Sequence, residues 1–445
     1  MSTRWNRCLF AVLFSAGITG AAEPEKVTIV AARAFVDLLC KGDFEGAAKS
    51  YDEAMKKSFP PMKLEAIWKQ IVNDVGPFQK QLEAPFEKLG KFDVVTVVCQ
   101  FEKIKVDIRI VFDREGRVTG LSLRPAQPKF EFTPPPYAKS DAYTEKALIV
   151  GEGGEWPLPA TLTLPRGDGP FPGVVLVHGS GGQDRDETIG GNKPFRDLAW
   201  GLASQGVAVL RYEKRTRHYG EKMVALKQRL TIQEEVVEDA LLAIALLRQQ
   251  KAIDGQRVFV VGHSLGGMVA PRLGALDPKL AGLALLAGTP RPLEDVIVDQ
   301  NIYMMSLQAE ITDKDKAALE EAKKQAAKVK DPKLGLDTPA SELLGMPAAY
   351  WLALRSLDAG ATAAKLSMPI LVLQGERDFQ ATMTDFAAWK KALMDRPNVR
   401  FKSYPKLNHL FLAGEGKSTI AEYDRPGHVP LEVIDDVAAW VKKPG

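Results

Sequence analysis

The stretch that most constrains this chain is Gly262-His263-Ser264-Leu265-Gly266, entered from the apolar run Arg257-Val258-Phe259-Val260-Val261. A β-rich run ending in Gly-x-Ser-x-Gly specifies a buried strand that turns sharply into a helix with a serine at the apex. The serine of such an elbow sits in a strained backbone conformation, and side chains at the two glycine positions would collide with the neighbouring strand and helix. The turn pushes the Ser264 hydroxyl out at the top of the sheet, at the N-terminal end of the next helix, where developing negative charge is favoured. The bland alternative is a glycine-rich turn with an idle serine. Three further segments argue against it.

A serine hydroxyl is a weak nucleophile that needs a base, an orienting acid and a site for the oxyanion. After an elbow of this kind the partners follow in the order Asp or Glu, then His. The buried run Pro369-Ile370-Leu371-Val372-Leu373-Gln374-Gly375 is followed by Glu376-Arg377-Asp378. A carboxylate just past the C-terminal end of a parallel strand lies on the face where such sheets place their chemistry, so Asp378 is the candidate acid. A short strand, Phe401–Tyr404, then leads to Leu407-Asn408-His409-Leu410-Phe411, with His409 31 residues after Asp378, about one strand-helix-strand unit later. Upstream, Pro172-Gly173-Val174-Val175-Leu176-Val177-His178-Gly179-Ser180-Gly181-Gly182 reads as a strand running into a glycine-rich loop. Backbone N–H groups of that loop, from Ser180 or Gly181, together with the N–H of Leu265, are the candidate oxyanion donors.

With these segments in hand, the region from about Tyr143 onward resembles an α/β-hydrolase of the serine-esterase and S33-type peptidase group. The loop Gly179–Asp186, the segment Leu210-Arg211-Tyr212-Glu213-Lys214-Arg215 and the Leu407–Phe411 pentad resemble a narrower set, the two-domain bacterial esterases of the EstD type. The resemblance implies an α/β fold, a mostly parallel sheet with helices on both faces and a helical lid, preceded by a small α+β domain. It implies a Ser264–Asp378–His409 triad that hydrolyses esters through an acyl-enzyme.

The five histidines are His178, His218, His263, His409 and His428, and none is spaced as a zinc motif. His178 is expected to brace the oxyanion loop, and His263, at the variable elbow position, has no required chemistry. His428 precedes the last helix instead of following a strand, so His409 is favoured as base. Asp184, Arg185 and Asp186 are expected to form a local ion-pair network. No cofactor and no metal are expected.

The N-terminus reads as a secretory signal over residues 1–22: Arg4 and Arg7 precede an apolar Cys8–Ile18, and Gly20-Ala21-Ala22 offers a cleavage site. A secreted or periplasmic protein follows, with no membrane-spanning segment expected. The signal's removal leaves Cys40 and Cys99, either paired or free. A net charge of +3 gives no reason to expect nucleic acid. Residues 23–123 predict a small α+β domain, NTF2-like or cystatin-like, with helices at 27–39, through 54 and at 64–75. An antiparallel meander follows at 93–100, 103–112 and 117–123. A proline-rich linker spans 124–142 and the hydrolase domain 143–445. The strand-helix alternation lapses at 293–359, where a helical lid is predicted, with helices 312–328 and 343–357. Tyr350, Trp351, Met304 and Met305 are candidate acyl-pocket residues.

Three functions compete. A small-molecule ester hydrolase is favoured. An S33-type peptidase needs acidic residues for the substrate amine, and no such cluster is identifiable. A catalytically dead binding protein needs none of Ser264, Asp378 and His409. A serine where dehalogenases and epoxide hydrolases use aspartate excludes those chemistries. The oligomeric state is left open.

Overall fold

The alternation of short β-branched runs with amphipathic helices after Phe171 builds the sheet that carries the elbow. The computed structural model describes residues 24–89, 92–126, 132–225 and 230–444, so the expected signal segment lies outside the described residues. The chain divides into two compact units, Met1–Gln127 and Pro128–Gly445.

In the first unit, helices Pro24–Cys40, Phe44–Ala48, Glu53–Ser58 and Pro61–Val75 precede five strands. These are β1 (Phe78–Gln81), β2 (Phe86–Leu89), β3 (Phe92–Phe101), β4 (Lys105–Phe112) and β5 (Val118–Pro125). β3, β4 and β5 form the anticipated antiparallel meander. β1 and β2 were not anticipated: both pair with β3, and four residues apiece, Phe-Gln-Lys-Gln and Phe-Glu-Lys-Leu, show no readable alternation. Ala32, Phe35, Val36 and Leu39 recur at helical spacing and pack in one core with Val95, Val97 and Cys99 of β3. Cys40 and Cys99 are free thiols. Burial, then the charge of Asp37, pushes the Cys40 thiol up to about 11, and burial pushes Cys99 up to about 12, so neither is a ready nucleophile.

The second unit is built on β6 (Tyr143–Val150), β7 (Leu158–Pro165), β8 (Phe171–Val177), β9 (Ala208–Tyr212), β10 (Ile253–His263), β11 (Gly282–Leu286), β12 (Ile370–Gly375) and β13 (Val399–Tyr404). Their order across the sheet is β6-β7-β9-β8-β10-β11-β12-β13. β7 is antiparallel to both neighbours, and every pairing from β9 to β13 is parallel. The central strands are buried on both faces, which is why they read as unbroken apolar runs. Alternate residues feed separate cores: Val174 and Leu176 join helices Pro194–Ala203 and Leu431–Lys442, while Val175 and Val177 join helices Glu238–Arg248 and Leu265–Leu276.

Helices Leu293–Met305, Asp313–Lys330, Ala348–Arg355 and Ala359–Lys365 lie between β11 and β12, where the lid was expected. Thr312 and Asp315 close a reciprocal capping box on the charged helix. The apolar helix expected over 343–357 is shorter, Ala348–Arg355, because Leu344 and Gly345 take φ of 53° and 82° and Pro347 follows as its N-cap. Within the expected linker, β5 continues to Pro125, and residues 132–142 lie along the second unit. Tyr137 donates its hydroxyl to the Val429 carbonyl at 2.5 Å, and the Lys139 N–H donates to Ser204 Oγ at 3.0 Å.

Candidate active site

β10 ends at His263, Ser264 takes φ 53° and ψ −117°, and the helix Leu265–Leu276 begins at the next residue. A Cβ on Gly262 would run into the Gly266 carbonyl, and one on Gly266 into the Val177 carbonyl, both far inside van der Waals contact. Only glycine allows the strand, the turn and β8 to approach so closely. Strain gathers here: among the described residues, the non-glycine positions with positive φ are Glu187, Ser264, Ala287, Leu344 and Phe411. All but Leu344 lie in or beside the loops around Ser264, and such strain persists where surrounding structure over-determines it.

His409 Nδ1 lies 2.7 Å from Asp378 Oδ2. The same oxygen accepts from Gln374 Nε2 at 3.0 Å, and Oδ1 accepts from the N–H groups of Gln380 and Ala381 at 2.7 and 3.1 Å. A carboxylate surrounded by donors acts as acceptor, so Nδ1 carries a hydrogen, and in the neutral ring that leaves the lone pair on Nε2. The histidine turn is held by Asn408, whose Oδ1 accepts from the N–H groups of Leu410 and Leu412, both at 3.1 Å.

The glycine-rich loop after β8 is held by two buried carboxylates that the sequence did not single out. Gly179 N–H donates to Glu187 Oε1 at 2.7 Å, and Gly181 N–H donates to Glu235 Oε1 at 3.3 Å. Lys214 Nζ donates to the Gly179 carbonyl at 2.6 Å and to Glu235 Oε1 at 2.5 Å, and the Tyr350 hydroxyl donates to Glu235 Oε2 at 2.6 Å. Lys214 and Glu235 are both buried, so removing either strands the other charge, typically at 3–5 kcal/mol. Glu235 sits in a π-helical turn, Gln233–Val237, at the start of the helix that Thr231 and Glu234 cap. Such turns often re-aim a side chain at a functional position. Lys214 had a sequence signal, a polar cluster straight after the buried strand β9. Glu187 had none.

His178 Nε2 contacts the Asp184 carbonyl at 3.0 Å, bracing the loop as expected. The expected ion pairs do form, but to partners outside Asp184–Asp186 and not within it. Asp184 accepts from the N–H groups of Asp186 and Thr188, Arg185 pairs with Glu213 at 2.7 Å, and Asp186 pairs with Arg211, Arg196 and Lys193. His428 sits elsewhere, with Nδ1 3.1 Å from Asp197 Oδ1.

Ser264, Leu265, His409 and Ser180 line one cavity of about 170 Å³. Its apolar side is Met268, Leu293, Val296, Ile297 and Met346, and Gln300 and Gln380 add polar groups. The four residues expected in an acyl pocket lie outside this lining. Tyr350 is held by Glu235, and Trp351 is fully buried with Nε1 donating to the Leu343 carbonyl at 2.7 Å. Met304 packs with Phe379, Leu410, Leu412 and Tyr423, and Met305 lies at the end of its helix, half-buried. The reason is helical phase and position: the first turns of Leu293–Met305, not its last, meet the elbow. Among the described residues no group of His, Cys, Asp or Glu is arranged to hold a metal ion, and no helix is long and apolar enough to cross a membrane.

A sheet of this order, with a serine on a strained elbow and a histidine–carboxylate pair on the loops after β12 and β13, defines the α/β-hydrolase class. Residues 173–416 match the family described as serine aminopeptidase, S33, and residues 32–121 match a protein family of unknown function, DUF3887. The chain is 38% identical over 411 residues to Esterase EstD of Thermotoga maritima, covering 92% of this chain and 94% of that protein. Among solved structures it is similar to an esterase of Pyrococcus furiosus, with a TM-score of 0.43 and 14% identity over 71% of this chain and 98% of that one. It is also similar to Est1E from Butyrivibrio proteoclasticus, with a TM-score of 0.43 and 16% identity over 67% and 98%. The chain belongs to the α/β-hydrolase superfamily, among the two-domain esterases of the EstD type.

Proposed function

We propose that this carboxylesterase-type hydrolase works through an acyl-enzyme on Ser264, with His409 as base, Asp378 orienting it, and the N–H groups of Leu265 and Ser180 receiving the oxyanion. The observation that carries the reading is the 2.7 Å Asp378–His409 contact beside a cavity that Ser264 and His409 both line. His409 Nε2 takes the Ser264 proton as Oγ bonds to the ester carbonyl carbon, and the carbonyl electrons move onto oxygen. Collapse expels the alcohol, which takes that proton from His409, and water repeats the sequence to release the acid. Asp378 stabilises the imidazolium and stays ionised. Gly181 N–H already serves Glu235, which favours Ser180 over Gly181 as the loop donor.

The cavity's apolar side and modest volume support soluble esters with short to medium acyl chains as substrates. Its described lining carries no carboxylate to receive a peptide's amine, which weighs against aminopeptidase chemistry. The signal-like segment 1–22 supports export to the periplasm or medium, and sequencing the mature N-terminus in cell fractions tests it. A fluorophosphonate should label Ser264 alone, and Ser264→Ala should cost on the order of 10⁴ to 10⁶ in kcat. Asp378→Asn should cost roughly 10⁴. Labelling at another residue, or faster cleavage of peptide amides than of matched esters, would sink the reading.

A further inference from the structure

We propose that Glu187 and His263 are positioning residues for this reaction, a buried clamp that ties the elbow, the base loop and the oxyanion loop together. The inference rests on Ser264 and His409 as nucleophile and base. His263, immediately before Ser264, is 5% exposed, and Glu187 is 1% exposed. His263 Nε2 lies 2.8 Å from the carbonyl oxygen of His409, and since a carbonyl only accepts, Nε2 carries a hydrogen. His263 Nδ1 lies 2.9 Å from Glu187 Oε2, while Glu187 Oε1 accepts the Gly179 N–H at 2.7 Å. The Nδ1–Oε2 contact lacks the alignment of a directed hydrogen bond, so charge holds it. An unbroken path therefore runs from the oxyanion loop, through Glu187 and the elbow residue, to the backbone of the base. The rings of His263 and His409 lie 4.8 Å apart, so a shift of one displaces the other.

The chemistry also assigns the protons. Burial works to neutralise His263, but the charge and contact of Glu187, the His409 carbonyl and the charge of Asp378 outweigh it and raise its pKa. Burial likewise opposes ionisation of Glu187, yet His263, then His178 and the Gly179 N–H, hold its pKa down. Both directions favour a proton on Nδ1, so the close Nδ1–Oε2 approach is read as a contact between an imidazolium and a carboxylate. Glu187 also holds φ 53°, a conformation a residue with a Cβ keeps only under tertiary constraint.

The direct test is ¹⁵N NMR of the full chain with labelled histidine, assigned against His263→Gln. At pH 7 both ring nitrogens of His263 should resonate as protonated. In kinetics, His263→Leu and Glu187→Gln should each lower kcat roughly 10²-fold, the scale of an ångström-level misplacement, with KM changed less than about threefold. The pair of changes together should cost little more than either alone. His263→Gln, which can still donate to the His409 carbonyl, should recover kcat to within about tenfold. A neutral His263 ring, or folded His263→Leu with kcat within about threefold of the native enzyme, would overturn the proposal. Should His263→Leu fail to fold, the native ring spectrum and His263→Gln still decide. The spectrum reads the clamp itself, whereas loss of Ser264 labelling would remove only the triad reading.

Discussion

His178 shows how burial sets the state of a side chain beside the site. Its Nε2–H donates to the Asp184 carbonyl, and Nδ1 has no partner. Burial, assisted by Lys214 and opposed by Glu187, lowers its pKa from 6.5 to about 4. The folded state then binds fewer protons than the unfolded chain between those values. This contribution to stability is complete above pH 6.5 and is lost as acid takes the pH down toward about 4. Asp197 acts in the opposite sense: burial raises its pKa to about 6, so its contribution is lost as pH rises through that value. The overall pH curve mixes the two, and only a variant separates them. His178→Gln, which keeps a donor for Asp184, should lose less stability than the native protein between pH 7.5 and 4.5, by on the order of 2 kcal/mol. Urea midpoints at the two pH values check this, and equal losses would refute the assignment.

At the scale of elements, the helix Leu293–Met305 decides how much room the acyl chain has. Met268 and Leu293 line both the cavity that holds Ser264 and a second one of about 220 Å³, whose walls combine Leu354 and Leu357 with Arg291, Glu294, Arg355 and Asp358. Each methylene moved from water into apolar surroundings gains about 0.8 kcal/mol, close to fourfold in binding. Leu293→Ala should join the cavities and raise the kcat/KM ratio of an eight-carbon to a four-carbon acyl ester at least about tenfold. Leu293 is half-buried, so the stability cost should be only about 1–2 kcal/mol. An unchanged ratio in a panel of chromogenic esters would place the acyl chain elsewhere.

At the scale of the whole molecule, each unit has its own hydrophobic core, and every residue assigned to the chemistry lies in the second. A chain of residues 128–445 should fold and hydrolyse an activated ester at close to the native rate. One beginning at 143 should be less stable, since it lacks Tyr137, whose ring lies against helix Pro194–Ala203 at Gly201 and whose hydroxyl meets Val429. Thermal melts and turnover of the two truncated chains test this. A folded but inactive 128–445 would show that the first unit contributes to the reaction.

The elbow, the order of Ser264, Asp378 and His409, the meander of the first unit and the helical insertion were readable along the chain because each is local. A strained turn demands its glycines within five residues, and a buried strand or a helix cap announces itself over a few more. The roles of Glu187, His263 and Glu235 were not readable, and Lys214 was marked only as part of a polar segment, because each acts through partners brought in from other loops. Nothing near Glu187 in sequence marks it as a clamp; a buried position 2.7 Å from the Gly179 N–H does. The acyl pocket failed for a related reason. Tyr350 and Trp351 have the right chemistry for an apolar wall, but the turn at Leu344–Gly345 and the phase of the short helix after it direct one to Glu235 and the other into the core. Side-chain character is written residue by residue, whereas which cavity a side chain faces depends on how helices pack across the sheet, and that packing is settled only when the whole unit folds.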